Sequence, residues 1–464
     1  MARSAPPAMT TVAAPPRWRL ALPILLVLDL ALIATTAWSP QILAGVVALA
    51  ALGLLWIRPH RVIAFVIAGL PLLDPIFARI GRDAIPPALP VLLLAIPLAA
   101  AFVAEPDRVL AGSSRAGRFR DLLADPIVLS TVALAIVLQL GLLWTRAPMY
   151  GGSKALLFTI FNLVLLVATW WFLGRGDHEG ADVERGLGFL QWIVWLEAGI
   201  AVLALWNHHT HYYHYGERLR ALGLNTIWLG RHMGMGVLAI CALYAARRLR
   251  LFWALLLAGL CGVVFFLSGS RGPLAALAPS LALWWILDPG RRGRTRLVVT
   301  LGAAVVGIVG ALWLIESGAI LEDTPFAGHD ASNLARVLML QGAQQNLASA
   351  GWLGYGTGSF GPLLNLGDIR IYPHNILLEI GVENGLLGLA TFLCFLAAVL
   401  HRWVRSTRRK AIDRGDPRER WRDVLVRVAG VQWFYAFANA QFSGDLPQNP
   451  WIWLWAAALA VWAR

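Results

Sequence analysis

The chain has 464 residues, of which 58% are hydrophobic and 14% are charged, and its mean hydropathy is +0.64. Soluble proteins carry about 25% charged residues, so the composition excludes an ordinary soluble domain and predicts an all-α polytopic integral membrane protein. The formal net charge of +13 would fit a nucleic-acid partner only if the basic residues formed one surface, and they are instead dispersed between apolar runs.

Helices of about 20 mostly apolar residues are long enough to cross a bilayer. Residues 1–16 are small and Pro-rich, and we predict a disordered cytoplasmic tail there. The first apolar run lacks a cleavage site of small residues and is followed closely by others, so we interpret it as a retained helix rather than a signal peptide. Twelve to fourteen spans are predicted, at 20–37, 41–57, 62–77, 87–104, 126–144, 155–173, 188–206, 229–246, 251–267, 272–287, 297–315, 376–401, 425–441 and 451–463.

The distribution of the basic residues indicates which loops face the cytoplasm. With a cytoplasmic N-terminus, most of the 39 Lys and Arg residues fall in loops on the cytoplasmic side, as the positive-inside rule requires. Attraction to anionic membrane lipid follows as a by-product, and we predict no nucleic-acid partner. Both termini are predicted to be cytoplasmic. Cys241, Cys261 and Cys394 lie in predicted spans, with no disulfide framework or metal-ligand spacing.

The loop at 207–230 is long and is predicted to face outward. It contains HHTHYYHYGERLR, but this histidine spacing matches no common zinc site, and we predict no metal. Arg218, Arg220 and Arg231 are predicted instead to collect an anionic substrate. A cation of this kind inside or beside a span usually has a functional role.

A second outward loop, 316–375, separates the membrane bundle at 17–315 from the C-terminal membrane helices at 376–464. It contains a predicted amphipathic helix at 332–348, capped by Ser332 or Asn333. The glycines of GWLGYGTGSFG, residues 351–361, then predict a connection rich in turns. This loop is the largest candidate for a catalytic segment outside the membrane.

Two arginines on the outward-facing side of the predicted topology need an explanation. In SGSRGPL, Arg271 lies between two apolar runs with almost no loop around it, where an arginine is costly and usually functional, although it can also snorkel to the interface. Ser270 and the adjacent glycines leave the backbone open to an anion. Arg336 lies near the start of the predicted loop helix, where the helix dipole disfavours a cation, so we expect a negatively charged partner.

The segment YPHNILLEIGVENGLLG, residues 372–388, begins a long apolar run with polar side chains. Asn375 is predicted to cap the helix, and the helix dipole then favours a neutral His374 that can accept a proton. Glu379 and Glu383 are four residues apart and therefore share a helix face. We predict that they pair with a cation such as Arg271 and tie helices together, with orientation of His374 as the alternative.

These residue types fit one chemistry. No phosphate-binding GxxxxGK[ST] loop and no GxSxG nucleophile motif occur in the chain. Arginines bind phosphate oxygens with a planar fork of donors and can stabilise charge on a departing diphosphate. A neutral histidine can take a proton from a hydroxyl. The pattern therefore favours transfer of a group from a lipid diphosphate to a hydroxyl acceptor, without a cofactor.

Four motifs together resemble the O-antigen ligase/polymerase family of bacterial envelope glycosyltransferases: SGSRGPL, the arginine-bearing helix before GYGTGSF, YPHNILLEIGVENGLLG and FSGDLPQNPWIW. The resemblance covers about residues 225–464. It implies a GT-C-like bundle of 12, or up to 14, transmembrane helices in the bacterial inner membrane, with one large periplasmic loop that contains helices and carries the active site. The implied donor is an undecaprenyl-diphosphate-linked glycan, used without a metal.

The resemblance also implies the site residues. The essential arginines and histidine of the ligases correspond to Arg271, Arg336 and His374, and Arg370 in the same loop is an alternative to Arg336. The residues expected to bind substrate around them are Arg231, Arg218, Arg220, Arg370, Asn375, Glu379, Glu383, Ser270 and Tyr355.

Members of the family differ in their acceptor. Ligases transfer O-antigen to lipid A–core and polymerases to another lipid-linked repeat, while other members modify proteins or exopolysaccharide. The pattern around His374 and the long loop at 316–375 favour a ligase, and the 207–230 loop keeps a polymerase open. Two other classes remain: a scaffold of an envelope-synthesis complex, and a transporter, although no internal repeat is visible. A transporter's ion path would use Asp29, Asp74, Glu197, Glu379 and Glu383.

Overall fold

The computed structural model describes residues 115–174, 181–210, 218–219, 225–287, 330–408 and 417–463. All regular elements in these ranges are helices. Five of them are long and apolar enough to cross a membrane, which agrees with a multi-pass membrane protein: Pro126–Leu143, Pro148–Leu173, Asp182–Trp206, Thr226–Ala245 and Ile376–Thr407. Two shorter apolar helices, Leu251–Leu267 and Pro450–Trp462, accompany them.

The described ranges contain twelve α-helices, numbered in chain order. The helix Pro148–Leu173, which is α3, contains a π-helical turn at Phe158–Leu163. The bounds are α1 Arg115–Leu123, α2 Pro126–Leu140, α3 Pro148–Leu173, α4 Ala181–Thr210, α5 Thr226–Ala245, α6 Leu251–Leu267, α7 Arg271–Ile286, α8 Asp330–Leu347, α9 Phe360–Leu363, α10 Ile376–Arg408, α11 Pro417–Asn439 and α12 Pro450–Trp462.

The apolar runs predicted from residue 126 to 287 and from 376 onward all coincide with helices, because a span must carry an unbroken apolar run. The predicted loop helix is also present, but α8 already includes Asp330, so Ser332 and Asn333 lie inside it and cannot be its cap. The remaining predictions, for the tail at 1–16 and the spans at 20–37, 41–57, 62–77, 87–104 and 297–315, lie outside the described residues.

The centre of the bundle is α12, which is buried along its whole length. The helices α3 and α11 pack closely against it, and α2 and α10 complete its surroundings. The ring of Trp453 meets those of Phe158 and Phe395, with centroids 5.1 and 4.4 Å apart. Large aromatic side chains contribute much of the apolar area of a core, so this Trp-rich helix forms the surface on which the longer spans pack.

One end of the bundle is bound by ion pairs between helix termini. Arg402 of α10 lies 3.0 Å from Asp125, whose other carboxylate oxygen accepts a hydrogen bond from Ile127 N and so caps α2. Arg422 of α11 lies 3.0 Å from Asp182 of α4. This arginine-rich end corresponds to the cytoplasmic side of the topology predicted from the sequence.

At the opposite end, α10 is broken at Gly385, whose φ of 63° and ψ of −157° are not helical. The break leaves two carbonyl groups without partners inside the helix. The carbonyl of Val382 accepts a hydrogen bond from Tyr355 N at 3.1 Å, and that of Glu383 accepts one from Gly356 N at 2.8 Å. Both donors belong to the glycine-rich connection, which therefore replaces the missing helical turn.

The same connection satisfies the other side of the break. Leu386 N and Leu387 N, which begin the second part of α10, donate to the carbonyls of Gly351 and Trp352, both at 3.0 Å. Irregular backbone at membrane depth is tolerated only where the protein satisfies its polar groups. The segment 351–361 is therefore a structural part of the broken helix as well as a connection rich in turns.

We expect Gly385→Ala to destabilise the protein by about 2–4 kcal/mol, because alanine is strained at positive φ and its methyl group would overlap the backbone of Trp352 and Gly354. Gly259→Ala in α6 is the matched control, since its methyl group would meet nothing within 4 Å, and helix propensity makes it neutral or slightly stabilising. Thermal unfolding in detergent compares the two. Equal midpoints would contradict the role given to the break.

Candidate functional site

The connection between α11 and α12, residues 440–449, organises the end of the bundle at which α10 is broken. We call it the strap. Its carbonyl oxygens accept hydrogen bonds from Ile376 N at 3.2 Å and from the guanidinium of Arg231 at 2.6 Å. Its Leu446 N donates to Glu379 Oε1 at 3.0 Å. The strap thereby joins α5 to the start of α10.

A buried ion cluster lies next to the strap. Lys154 Nζ is 2.5 Å from Glu379 Oε1 and 2.5 Å from Glu383 Oε2, and the three side chains are at most 1% exposed. Gly358 N also donates to Glu383 Oε2, at 2.8 Å. The two glutamates therefore share one helix face and pair with a cation, but the cation is Lys154 of α3 rather than Arg271.

Lys154 is missing from the residues predicted to matter. The apolar run predicts a span that begins at residue 155 and so leaves Lys154 outside it, whereas α3 begins at Pro148. A lysine in a membrane helix faces protein or water and needs a partner. That rule would have identified Lys154 if the start of the helix had been placed correctly.

Asp445 of the strap is the second unpredicted member of the site, although it lies in the motif FSGDLPQNPWIW. It is 3% exposed. Its Oδ2 accepts hydrogen bonds from the Tyr150 hydroxyl at 2.8 Å and from Arg370 Nε at 3.1 Å, and its Oδ1 accepts one from a terminal nitrogen of Arg370 at 3.3 Å. Burial lowers the pKa of Arg370, but Asp445 outweighs it and the net pKa is raised. Arg370 thus has a protein partner.

His374 lies at the edge of this cluster, in left-handed backbone with a φ of 56°, which is uncommon for residues other than glycine. Asn375 follows, and its side-chain oxygen accepts hydrogen bonds from Leu377 N and Leu378 N, both at 3.1 Å, so that it caps α10 as predicted. The imidazole packs on Tyr372 with ring centroids 4.6 Å apart. Its Nδ1 is buried and has no hydrogen-bond partner among the described residues.

The environment of His374 disfavours the imidazolium. Burial lowers the pKa of His374 to about 4, the positive charges of Arg336 and Arg231 act in the same direction, and Asp445 opposes them. The imidazole is therefore neutral at neutral pH. The sequence predicts this state from the helix dipole, but in the structure the main cause is burial, followed by the charge of Arg336.

Arg336 and Arg271 lie close to each other. Burial lowers the pKa of Arg336, Tyr372 opposes this, and the charge of Arg271 lowers it further. Within the part of the chain that the structure describes, no acidic side chain pairs with Arg336. The negative partner expected from the position of Arg336 in its helix is therefore not a described protein group, and two adjacent guanidinium groups favour an external anion.

Arg231 is buried, and its hydrogen-bond acceptors among the described residues are neutral. One terminal nitrogen donates to Asn449 Oδ1 at 3.2 Å, and the other donates to the carbonyls of Asn439 at 3.0 Å and Ser443 at 2.6 Å. Its Nε has no partner in the described ranges. A buried charge that no described carboxylate neutralises acts on its surroundings, and the positive charge of Arg231 contributes to lowering the pKa of His374.

The SGSRG turn between α6 and α7 packs against the residue that precedes Arg231. A methyl group on Gly230 would lie 3.1 Å from both Ser268 Oγ and Ser270 Cβ. Ser270 is buried and its hydroxyl points to the carbonyl of Ser268, 3.5 Å away. Arg271 then begins α7. The turn therefore places Arg271 at the same end of the bundle as Arg231.

The other predicted substrate-binding residues are more peripheral. Arg218 precedes Leu219, whose N–H donates to the carbonyl of Leu267 at 2.9 Å, and it is thus held at the end of α6. Tyr355 donates to or accepts from the hydroxyl of Ser349 at 2.8 Å, with the guanidinium of Arg146 5.8 Å from its ring. Arg220, together with the histidines at 211 and 214, lies outside the described residues.

Carboxylates that a transporter would use as an ion path are bound to side chains here. Glu197 Oε1 lies 2.8 Å from His232 Nδ1, with both side chains fully buried, and Glu379 and Glu383 hold Lys154. Asp29 and Asp74 lie outside the described residues. Glu197, Glu379 and Glu383, the carboxylates of the transporter hypothesis that the structure describes, therefore connect helices to one another.

Residues 255–393 match the family model described as O-antigen ligase. The match supports the family that the sequence motifs resemble, and with it an enzyme of the O-antigen ligase and polymerase type. Arg271, Arg336, Arg370 and His374 all lie inside the matched range, whereas Lys154 and the strap lie outside it. A search of curated proteins found no match to the chain.

We expect Lys154→Met to destabilise the protein by about 3–5 kcal/mol, because it leaves two buried carboxylates without a cation. The triple variant Lys154→Met, Glu379→Gln, Glu383→Gln should recover most of this loss, since it removes the charges and keeps oxygen acceptors for Leu446 N and Gly358 N. Thermal unfolding at neutral pH in detergent measures both. A single variant as stable as the wild type would show that the ion cluster does not hold the helices together.

Proposed function

We propose that this chain, whose residues 255–393 match the O-antigen ligase family model, transfers O-antigen or a similar glycan from undecaprenyl diphosphate to a hydroxyl of lipid A–core. The observation that carries the proposal is His374, which lies directly before the cap of α10 with its Nδ1 buried, where burial and the positive charges of Arg336 and Arg231 lower its pKa. Such a group can accept a proton beside a bound anion. No metal or other cofactor takes part.

The arginines bind the diphosphate of the donor. Arg336 has no acidic partner in the described ranges and lies close to Arg271, so an anion between them relieves the repulsion of two like charges. Planar guanidinium groups match phosphate oxygens with paired donors. As the bond between the sugar and the diphosphate breaks, negative charge grows on the leaving oxygen, and these preorganised donors stabilise it. Arg231, Arg218 and Arg220 add to the positive potential that attracts the donor.

His374 acts on the acceptor. Its Nδ1 is buried, which leaves Nε2 as the ring nitrogen toward the substrate. The acceptor oxygen forms a bond to the anomeric carbon, the bond from that carbon to the diphosphate oxygen breaks, and the acceptor proton moves to Nε2. Undecaprenyl diphosphate is the leaving group. Ser270, Tyr355, Asn375, Glu379 and Glu383 shape the site, the last two through Lys154 and the strap.

The topology supports a periplasmic site. The end of the bundle opposite His374 carries the arginine-rich helix termini, including Arg402 and Arg422, and basic residues favour the cytoplasmic side. We place the protein in the bacterial inner membrane, with cytoplasmic termini and a catalytic loop at 316–375 between the membrane helices of 17–315 and 376–464. The architecture proposed for the whole chain is a GT-C-like bundle of twelve to fourteen spans.

We expect Arg271→Ala, Arg336→Ala and His374→Ala each to lower transfer at least about 100-fold, because each removes a charge stabiliser or the proton acceptor. Purified protein, a synthetic glycan-diphosphate-undecaprenyl donor and lipid A–core are mixed with EDTA, and the glycosylated product is measured. Arg405→Ala is the control, since that exposed arginine lies at the opposite end of α10 and its loss should have no effect.

Other outcomes of this assay separate the alternatives. Longer lipid-linked chains without a lipid A–core product would assign the protein as a polymerase, which uses the same donor chemistry. If no acceptor is glycosylated, although a control enzyme accepts the same donor, the proposed glycosyltransferase activity is refuted. The transporter hypothesis then becomes the favoured one. Activity that requires a metal would refute the mechanism.

The rate of transfer should fall in acid with a midpoint near pH 4. The neutral imidazole is the active form, burial and Arg336 lower the pKa of His374 to about 4, and protonation removes the base only as the pH falls through that value. The measurement is kcat/KM from pH 3.5 to 8. A midpoint near 6.5, the value of an unperturbed imidazole, would contradict the buried environment of His374.

A further inference from the structure

Within the described ranges, His374 has no hydrogen bond of the kind that usually orients a basic histidine. In such residues the second ring nitrogen donates to a carboxylate or carbonyl, which sets the tautomer and the ring plane. Here Nδ1 is buried without a partner in the described ranges. The only ring contact of the imidazole there is with Tyr372, at 4.6 Å between centroids and 60° between planes. The ring of Tyr372 therefore limits the rotation of the imidazole.

Tyr372 is held in turn by Arg370. The guanidinium carbon of Arg370 lies 5.8 Å from the centre of the tyrosine ring, within the range of a cation–π contact. Arg370 cannot turn freely, because two of its nitrogens donate to the two oxygens of Asp445, at 3.1 and 3.3 Å. A paired contact of this kind fixes the plane of the guanidinium as well as its position.

Asp445 is fixed on its other side by α3. The hydroxyl of Tyr150 donates to Asp445 Oδ2 at 2.8 Å. Tyr150 lies in the first turn of α3, where its backbone N donates to Asp368 at 3.0 Å and its ring lies 5.6 Å from Lys154 Nζ. The chain of contacts therefore starts on a membrane helix that the buried ion cluster holds in place, and it ends at the imidazole.

We infer that Tyr150, Asp445, Arg370 and Tyr372 form a positioning stack that sets the orientation of the His374 imidazole toward the acceptor. Arg370 acts in this stack as a fixed cation that neutralises Asp445, rather than as a ligand of the diphosphate. The inference rests on the proposed function, because it concerns the histidine of that reaction. Of the arginines in the catalytic loop and the SGSRG turn, only Arg271 and Arg336 then bind the diphosphate of the donor.

The stack has an electrostatic consequence. Among the described residues, the charges that act on His374 are those of Arg336 from α8, Arg231 from α5 and Asp445 from the strap. Arg370 and the titratable Tyr372 belong to the same segment as His374. Arg370 offsets the charge of Asp445. Without the guanidinium, Asp445 would stabilise the imidazolium more strongly, and the pKa of His374 would rise, since an uncompensated carboxylate nearby favours the cation.

Arg370→Gln tests the inference in the transfer assay. We expect the acid midpoint of kcat/KM to move up by about one pH unit, and kcat to fall about ten- to a hundredfold because the imidazole is less well oriented. The KM for the donor should change less than about twofold. The double variant Arg370→Gln, Asp445→Asn should return the midpoint to the wild-type value, because the unmasked carboxylate is gone.

A rise of tenfold or more in the KM for the donor, with an unmoved midpoint, would overturn the inference and make Arg370 a diphosphate ligand. Tyr372 provides a second test if the Arg370 variant does not fold. Tyr372→Phe keeps the ring and should retain most of kcat, whereas Tyr372→Leu should lose about ten- to a hundredfold with little change in KM. Equal rates for these two variants would also overturn the inference.

The same experiment separates this inference from the proposed function. Absence of transfer by the wild-type protein refutes the function itself. Transfer by the wild type, with a midpoint that Arg370→Gln does not move, refutes only the stack. Thermal unfolding of each variant in detergent shows whether a lost rate reflects orientation or loss of the folded protein.

Discussion

The geometry of the site depends on the ammonium group of Lys154 between the carboxylates of Glu379 and Glu383. Glu379 Oε1 receives both this ammonium and the N–H of Leu446, and Glu383 Oε2 receives it together with the N–H of Gly358. Four parts of the chain are thereby bound to one cluster: α3, α10, the strap and the glycine-rich connection. Buried ion pairs contribute little net stability, but they can specify one arrangement of helices.

Two features of the site follow from that arrangement. The connection at 351–361 completes the broken α10, which places the helix start, and with it His374, at the end of the bundle opposite the ion pairs of Arg402 and Arg422. The strap brings Asp445 against Tyr150 and Arg370, and it holds Arg231 through carbonyl groups. The acidic and basic side chains of the site therefore have different kinds of partner. The carboxylates are paired with protein cations, while Arg336 faces the site without an acidic partner among the described residues.

This difference in partners explains how one site can combine a neutral base with anion binding. An imidazole close to arginines resists protonation, because a second positive charge there is unfavourable. In the proposed function the same arginines are more favourable partners for a diphosphate, which brings the negative charge that no described acidic side chain supplies at Arg336. Under this proposal, one group of charges sets both the binding of the donor and the basicity of His374.

The approximate positions of the described membrane helices follow from the sequence alone, because a bilayer requires runs of apolar residues of a certain length and such runs are local. Their ends do not follow in the same way: the span predicted at 155–173 omits the first turns of α3, which begins at Pro148. The cap by Asn375 and the shared face of Glu379 and Glu383 were also predictable, since they depend on neighbours within one turn of a helix. The neutral state of His374 was predicted in direction but not in cause, because burial depends on residues far away in the chain.

Only the tertiary structure decided which groups meet. Lys154, Asp445 and Tyr150 come from α3 and the strap, and nothing in their local sequence shows that they approach α10 or Arg370. The glycine-rich connection has a turn pattern by itself, but its pairing with the break at Gly385 requires both segments in place. Local sequence therefore determined the helices and the candidate residues, and long-range packing determined their partners, because a hydrogen bond or ion pair between distant segments exists only after the chain has folded.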